Sequence, residues 1–118
     1  MSEILTYDNL LAGDLDIVTE EPVIVAGGQG VIARGTALGK ITASGKMMIL
    51  NSNNHDGSQT IYGILGANID TTLGDTDSFV YLTGEFNQAN VIFGGNDNYL
   101  THKSTARTLG IFFKPIQP

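Results

Sequence analysis

Ser78-Phe-Val-Tyr-Leu-Thr-Gly-Glu-Phe86 is the clearest strand in the chain, and it sets how the stretches on either side are read. Phe79, Tyr81 and Thr83 fall on one face and Val80 and Leu82 on the other, the period of two that a pleated strand imposes. Toward the N-terminus, residues 70–77 form an acidic turn. The apolar run 60–67 before it holds Gly63 and Gly66, and glycine inside a strand marks a bulge or a close backbone contact. Residues 36–42 and 46–50 flank Ala43-Ser44-Gly45, so 36–50 is expected to be a hairpin. Residues 51–58 are a polar loop dense in turn formers, and 23–26 and 31–34 are two further short β-prone runs punctuated by glycine.

Toward the C-terminus, residues 91–93 form a short run closed by Gly94-Gly95, and a single helix comes next. Asn96 or Asp97 caps it, Tyr99, Leu100, Ala106 and Leu109 supply a rough apolar stripe, and Gly110 stands at the position where helices turn left-handed and stop. On this stripe His102 is expected at the surface. Residues 111–114 read as a last strand. The expected fold class is mainly β, built of short strands and Gly-rich turns, with one short α-helix near the C-terminus. Strands do not alternate with helices, which disfavours a parallel α/β sheet.

Residues 1–22 differ in character from residues 23–118. Glu3, Asp8, Asp14, Asp16, Glu20 and Glu21 are half of the 12 acids in the chain, and no Lys or Arg occurs before Arg34. Leu10, Leu11, Leu15, Ile17 and Val18 make the segment more apolar than a solvating tail requires. The division expected is an extended N-terminal arm over 1–22 and a β-rich domain over 23–118, with Pro22 ending any strand pairing by Ile17-Val18-Thr19.

The totals bound the function. A chain of 118 residues fits one domain. Its 15 glycines are about twice the usual share of roughly 7%, and only 15% of residues are charged against about 25% normally, a balance that fits a turn-rich chain hiding surface in an assembly. The net charge of −6, with six scattered basic residues, argues against direct nucleic-acid binding, which needs Lys and Arg to displace phosphate counterions. The absence of cysteine removes disulfides, thiolate metal sites and a Cys nucleophile, and it fits a cytosolic origin. The acidic start lacks a continuous apolar stretch, so no secretory signal is expected, and no apolar run reaches the ~20 residues of a membrane helix.

Candidate chemistry fails on context. Gly28-Gln29-Gly30-Val31-Ile32-Ala33 fits a dinucleotide fingerprint, but a β-prone run stands where a helix should begin, so these are read as turn glycines. Ser52-Asn-Asn-His-Asp-Gly57 has the look of a calcium loop, but Ser52 takes the first ligand position and Gly63 stands where the bidentate Glu belongs. His55 and His102 lack companions at metal-ligand spacing, Ser58 is near His55 and Asp56 only in sequence, and an Asp75–Asp77 acid pair is more simply a solvated turn. No catalytic residue, cofactor or metal is expected.

Four stretches in order carry a resemblance: Ala33-Arg-Gly-Thr-Ala-Leu-Gly-Lys-Ile-Thr42; Asp56-Gly-Ser-Gln-Thr60 leading into Tyr62-Gly-Ile-Leu65; Val80-Tyr-Leu-Thr-Gly-Glu-Phe-Asn87; and Thr101-His102 with Arg107-Thr-Leu-Gly-Ile-Phe112. Together, over about residues 22–114, they resemble the head decoration protein family of lambda-type tailed phages, with the arm ahead of Pro22 unmatched. The resemblance implies a clip-type β fold, a homotrimer on the outer surface of the expanded phage head, the major capsid protein as partner, and no enzymatic activity; direct contact with nucleic acid or membrane is not expected, on the charge and hydropathy grounds above. It implies synthesis in the host bacterial cytoplasm and residence in the virion. Within the arm, Leu10, Leu11, Leu15, Ile17, Val18 and Thr19 are the expected capsid-binding residues, the last three as an added strand. Two rivals remain: a tail, fibre or surface module that binds carbohydrate or a host protein, and a small hydrolase using Asp75 or Asp77.

Overall fold

Five strands wrap into a closed, barrel-like sheet because each supplies one side chain to a common interior. The computed structural model describes residues 18–115. Its elements are β1 (Thr19–Val25), β2 (Val31–Ile32), β3 (Ala37–Lys40), β4 (Met47–Ile49), β5 (Ile61–Leu65), β6 (Ile69–Asp70), β7 (Thr76–Asn87), α1 (Tyr99–Leu109) and β8 (Ile111–Lys114). The sheet runs β1-β4-β3-β5-β7, and β7 returns to β1 to close it. Val25, Met47, Leu38, Leu65 and Val80, one from each of these strands, meet in a single buried cluster with Ile32 from β2. A fully buried aliphatic side chain contributes about 1.5–3 kcal/mol over leaving it in water, so this ring is a main reason for closure.

The alternation read in β7 holds. Val80 and Leu82 face the barrel interior, whereas Phe79 and Tyr81 face a second cluster on the outside. That cluster gathers Ala37, Leu50, Ile61, Ile64, Phe86, Val91, Ile111 and Phe113 beneath α1, which contributes Ala106. β8 extends the sheet by pairing parallel with the far end of β7, from Gly84↔Ile111 to Asn87↔Lys114. The expected hairpin is present as β3 and β4, in register Leu38↔Ile49 to Lys40↔Met47. Close backbone contact at strand glycines is also present. A Cβ on Gly63 would lie 2.9 Å from the Tyr81 carbonyl oxygen, and one on Gly39 would lie 2.4 Å from that of Ser58.

Five expectations change. Pro22 does not end strand pairing: β1 runs through it, from Thr19↔Thr83 to Val25↔Thr76. The Ala26 N–H reaches the Met47 carbonyl on the β4 side. With a period of two, position 22 also turns its nitrogen to that side, where β4 pairs with β1 only at Val25↔Met47, so no ladder bond is lost. The helix cap is Asn98, whose side chain accepts from Leu100 N–H while Thr101 closes the capping box. The helix buries His102 with Ala106 and turns Leu100 and Leu109 outward, because 99, 102 and 106 share a face. The run at 91–93 forms a single bridge, Thr36↔Ile92, and β2 stops at Ile32 rather than Arg34.

Candidate functional site

Several of the residues that looked chemical in sequence are occupied in holding the fold. Asp97 carries the most concentrated polar contacts. Its carboxylate accepts from Ser52 N–H at 2.7 Å and from the Ser52 hydroxyl at 2.7 Å, and lies 2.8 Å from His102 Nε2. His102 in turn stacks on Phe93, with ring centroids 5.6 Å apart. Burial pushes the Asp97 carboxyl up, but His102 and the two Ser52 donors outweigh it and hold it below the usual carboxylate range. The two side chains are each 6% exposed, and their contacts tie the helix start to the 51–53 loop. His102 is thus buried rather than at the surface, and its spacing from Tyr99 and Ala106 is the signal that marks it as core-facing.

The other candidates separate. His55 and Asp56 are exposed, whereas Ser58 is buried and donates to Asp56 inside a turn. That hydroxyl and the Ser58 N–H hold the Asp56 carboxyl below its ordinary value. Asp75 pairs with Lys46 at 2.6 Å and accepts from Gly27 N–H at 2.8 Å, while Asp77 lines a groove that Lys46 also borders. Gly28 and Gly30 have φ of 83° and 76°, left-handed values that glycine adopts freely, and Thr71 fills the turn they make by bonding to Gln29 N–H and the Gly30 carbonyl. No helix begins after them, so the fingerprint is a loop clasp. Among the described residues no group of three or more acidic or histidine side chains could hold a metal ion. No helix there is long and apolar enough to cross a membrane.

The surface carries two grooves and an exposed apolar knob. A groove of about 530 Å³ opens where β1 diverges from β4, bordered by residues 21–24, Lys40, Lys46 and Tyr62. The Tyr62 hydroxyl donates to Glu21 across it, and Lys40 sits 5.1 Å above the Tyr62 ring. The bond to Glu21, with burial added, raises the Tyr62 phenol above its ordinary value. A second groove, of about 450 Å³, lies between α1 and β8 and is lined by Lys103, Arg107, Phe112, Phe113, Lys114 and Pro115. Val31 and Leu73, 75% and 101% exposed, stand on the knob formed by the 27–30 and 71–75 loops.

Of the expected capsid-binding residues, Leu10, Leu11, Leu15 and Ile17 lie outside the described residues. Val18 packs against the outer cluster, and the Thr19 hydroxyl accepts from Thr83 at 2.9 Å, so the structure places both at the root of β1. Sequence reading missed Arg34, which donates to the Gly66 carbonyl at 3.0 Å and to the buried Tyr81 hydroxyl at 2.6 Å; nothing in its local sequence marks it.

Comparison with protein families gives one result. The family model described as bacteriophage lambda head decoration protein D matches residues 2–109. The match begins ahead of Pro22, so the segment expected to depart from the family is included, and it ends before β8. A search of curated proteins found no match.

Proposed function

Because the chain belongs to the bacteriophage lambda head decoration protein D family, we propose that it binds the outside of the expanded phage head as a homotrimer and braces the shell against packaged DNA. The family is one of structural head proteins, which gives the chain a capsid decoration role and a place in the virion. That match, covering all five barrel strands and α1 and stopping short of β8, carries the reading.

The mechanism is a clamp. Packaged DNA strains the contacts between capsid subunits, and a trimer spanning several subunits adds contacts that must break before the shell opens. The major capsid protein is the partner. Leu10, Leu11, Leu15 and Ile17 make the arm's contacts with it, while Val18 and Thr19 anchor the arm to the barrel. Ordering such a segment costs about 1–2 kcal/mol per residue, so the capsid site must be well formed. Selectivity for the expanded shell arises if that site exists only there. Three arms on one trimer turn weak single contacts into avidity. The exposed Val31–Leu73 knob and the outward face of α1 supply apolar area for the contact between copies.

Because β1 starts at Thr19, the informative deletion removes residues 2–17 and leaves the barrel strand intact. Occupancy of purified expanded shells is measured by co-sedimentation, and the mass of the free chain by light scattering. The expected results are a trimer and a loss of occupancy on deletion. Full occupancy without the arm, or a monomer, would sink the mechanism. Among the described residues, the rival reading as a carbohydrate-binding module rests on one exposed aromatic, Phe112, in a groove that Lys103, Arg107 and Lys114 also line.

A further inference from the structure

β8 is the end strand of its sheet, with β7 as its neighbour. Its even-numbered residues bond to β7: Gly84 N–H donates to the Gly110 carbonyl, and Gln88 N–H donates to the Lys114 carbonyl. The backbone groups of Ile111 and Phe113 therefore point to the other edge, where no described strand pairs with β8. An open edge of this kind is a template for a further strand. Pro115, which has no N–H, ends it.

The groove of about 450 Å³ follows that edge. Phe112, Phe113, Lys114 and Pro115 are consecutive, and all four line it. Neighbouring side chains of a strand point to opposite faces, so a groove bordered by all of them runs along the edge and not over one face. Its other wall is α1, through Lys103 and Arg107. These two are about 6 Å apart along the helix, close to the ~6.6 Å between alternate residues of an extended strand. Three of the six Lys and Arg in a chain of net charge −6 thus border one short edge. The Lys103 ammonium is 6.0 Å from the Tyr99 ring centre, and Lys114 is 3.7 Å from Glu85 with both side chains partly in water. Arg107 has no ion pair among the described residues. Phe112, 38% exposed, adds an apolar surface beside them.

Charge selects the occupant. A second copy's β8 laid along this edge would bring its own Lys114 toward Lys103, Arg107 and Lys114, and like charges across a strand pair are destabilising. An acidic strand is favoured by the same cations.

We propose that the outer edge of β8 receives an extended, acidic segment of the major capsid protein as an added strand along the α1–β8 groove. The Phe113 N–H and carbonyl bond to its backbone. Carboxylates on alternate residues face Lys103 and Arg107, and an apolar side chain on its other face covers Phe112. The partner's identity rests on the decoration reading, whereas the open edge and its charge belong to the fold.

The experiment adds the full chain to purified expanded shells and follows amide exchange residue by residue, by fragmentation mass spectrometry, in the free and shell-bound states. In the free chain Phe113 should exchange faster than Phe112 and Lys114, whose N–H groups face β7. On shells the Phe113 amide should slow by about tenfold or more. Lys103 and Arg107 are exposed, so Lys103→Gln with Arg107→Gln should leave the circular dichroism spectrum intact. That pair of substitutions should weaken shell binding by about tenfold and remove the protection at Phe113. Lys103→Arg with Arg107→Lys keeps the charge and should bind as the unaltered chain does. Binding that leaves the Phe113 amide unprotected would overturn the proposal, as would binding indifferent to loss of the two charges; either result leaves the decoration reading standing. Slow, concentration-dependent exchange at Phe113 in the free chain would give the edge to a second copy and would equally overturn it. Failure of the unaltered chain to bind shells at all would remove the decoration reading and this proposal together.

Discussion

Replacing Asp97 with Ala removes the acceptor for Ser52 N–H, the Ser52 hydroxyl and His102 Nε2 in one step. Hydrogen bonds to a charged group contribute about 1.5–3 kcal/mol each. The lower end applies here, because Ser52 is exposed and water can replace its lost partner, whereas the His102 side chain, 6% exposed, is left with little. The expected loss is about 2–3 kcal/mol, a large part of the roughly 5–15 kcal/mol that holds a domain folded. At about 4 °C per kcal/mol this lowers Tm by roughly 8–12 °C. Urea unfolding followed by circular dichroism measures it, with an unchanged dependence on urea showing that the folded and unfolded states are otherwise comparable. A cycle with His102→Ala should return a coupling of about 1 kcal/mol or more. The pH dependence has a definite sign. The Asp97 carboxyl is held low in the folded state, so its stabilisation is present above the ordinary carboxylate value and is lost as pH falls through the folded value. Asp97→Ala should flatten that acid limb. A loss below about 0.5 kcal/mol, or zero coupling, would refute the view that this pair fastens the helix to the loop.

Gly39→Ala should cost about 1–3 kcal/mol by urea unfolding, since its Cβ meets backbone rather than a side chain that can swing away. Arg34→Ala should cost about 1–3 kcal/mol by stranding the Tyr81 hydroxyl, and Tyr81→Phe added to it should recover part of the loss. In an absorbance titration Tyr62 should ionise above the ordinary tyrosine value, and Tyr62→Phe should remove that late step. The interaction with Glu21 is present while the phenol is protonated and is lost as pH rises through its raised value.

The legible parts of the fold are those whose signal is local. The alternation of β7 is readable because both faces of that strand meet a core. The 36–50 hairpin is readable from its turn, and the helix stop from Gly110, whose φ is 91°. Closure of the barrel is not readable, because β1 and β7 lie more than 50 residues apart and their register leaves no mark in either strand. Glu20 and Pro22 make β1 look like tail. They are tolerated because Val23 and Val25 face the interior while Glu20, Pro22 and Ile24 face out. The groove between α1 and β8 is invisible for a related reason: Lys103, Arg107 and Lys114 come together only once β8 folds back beneath α1.

The antiparallel pairing of β1 with β7 also sets how the molecule bears load. A pull on the segment ahead of Val18, directed along β1, does not peel the strand from its neighbour one bond at a time. It slides β1 lengthwise, so all seven register pairs from Thr19↔Thr83 to Val25↔Thr76 resist together. A tether rooted this way yields by shear, the stronger of the two ways a strand can leave a sheet. Tension applied ahead of Val18 would thus be spread across the barrel wall instead of concentrating at its first residue.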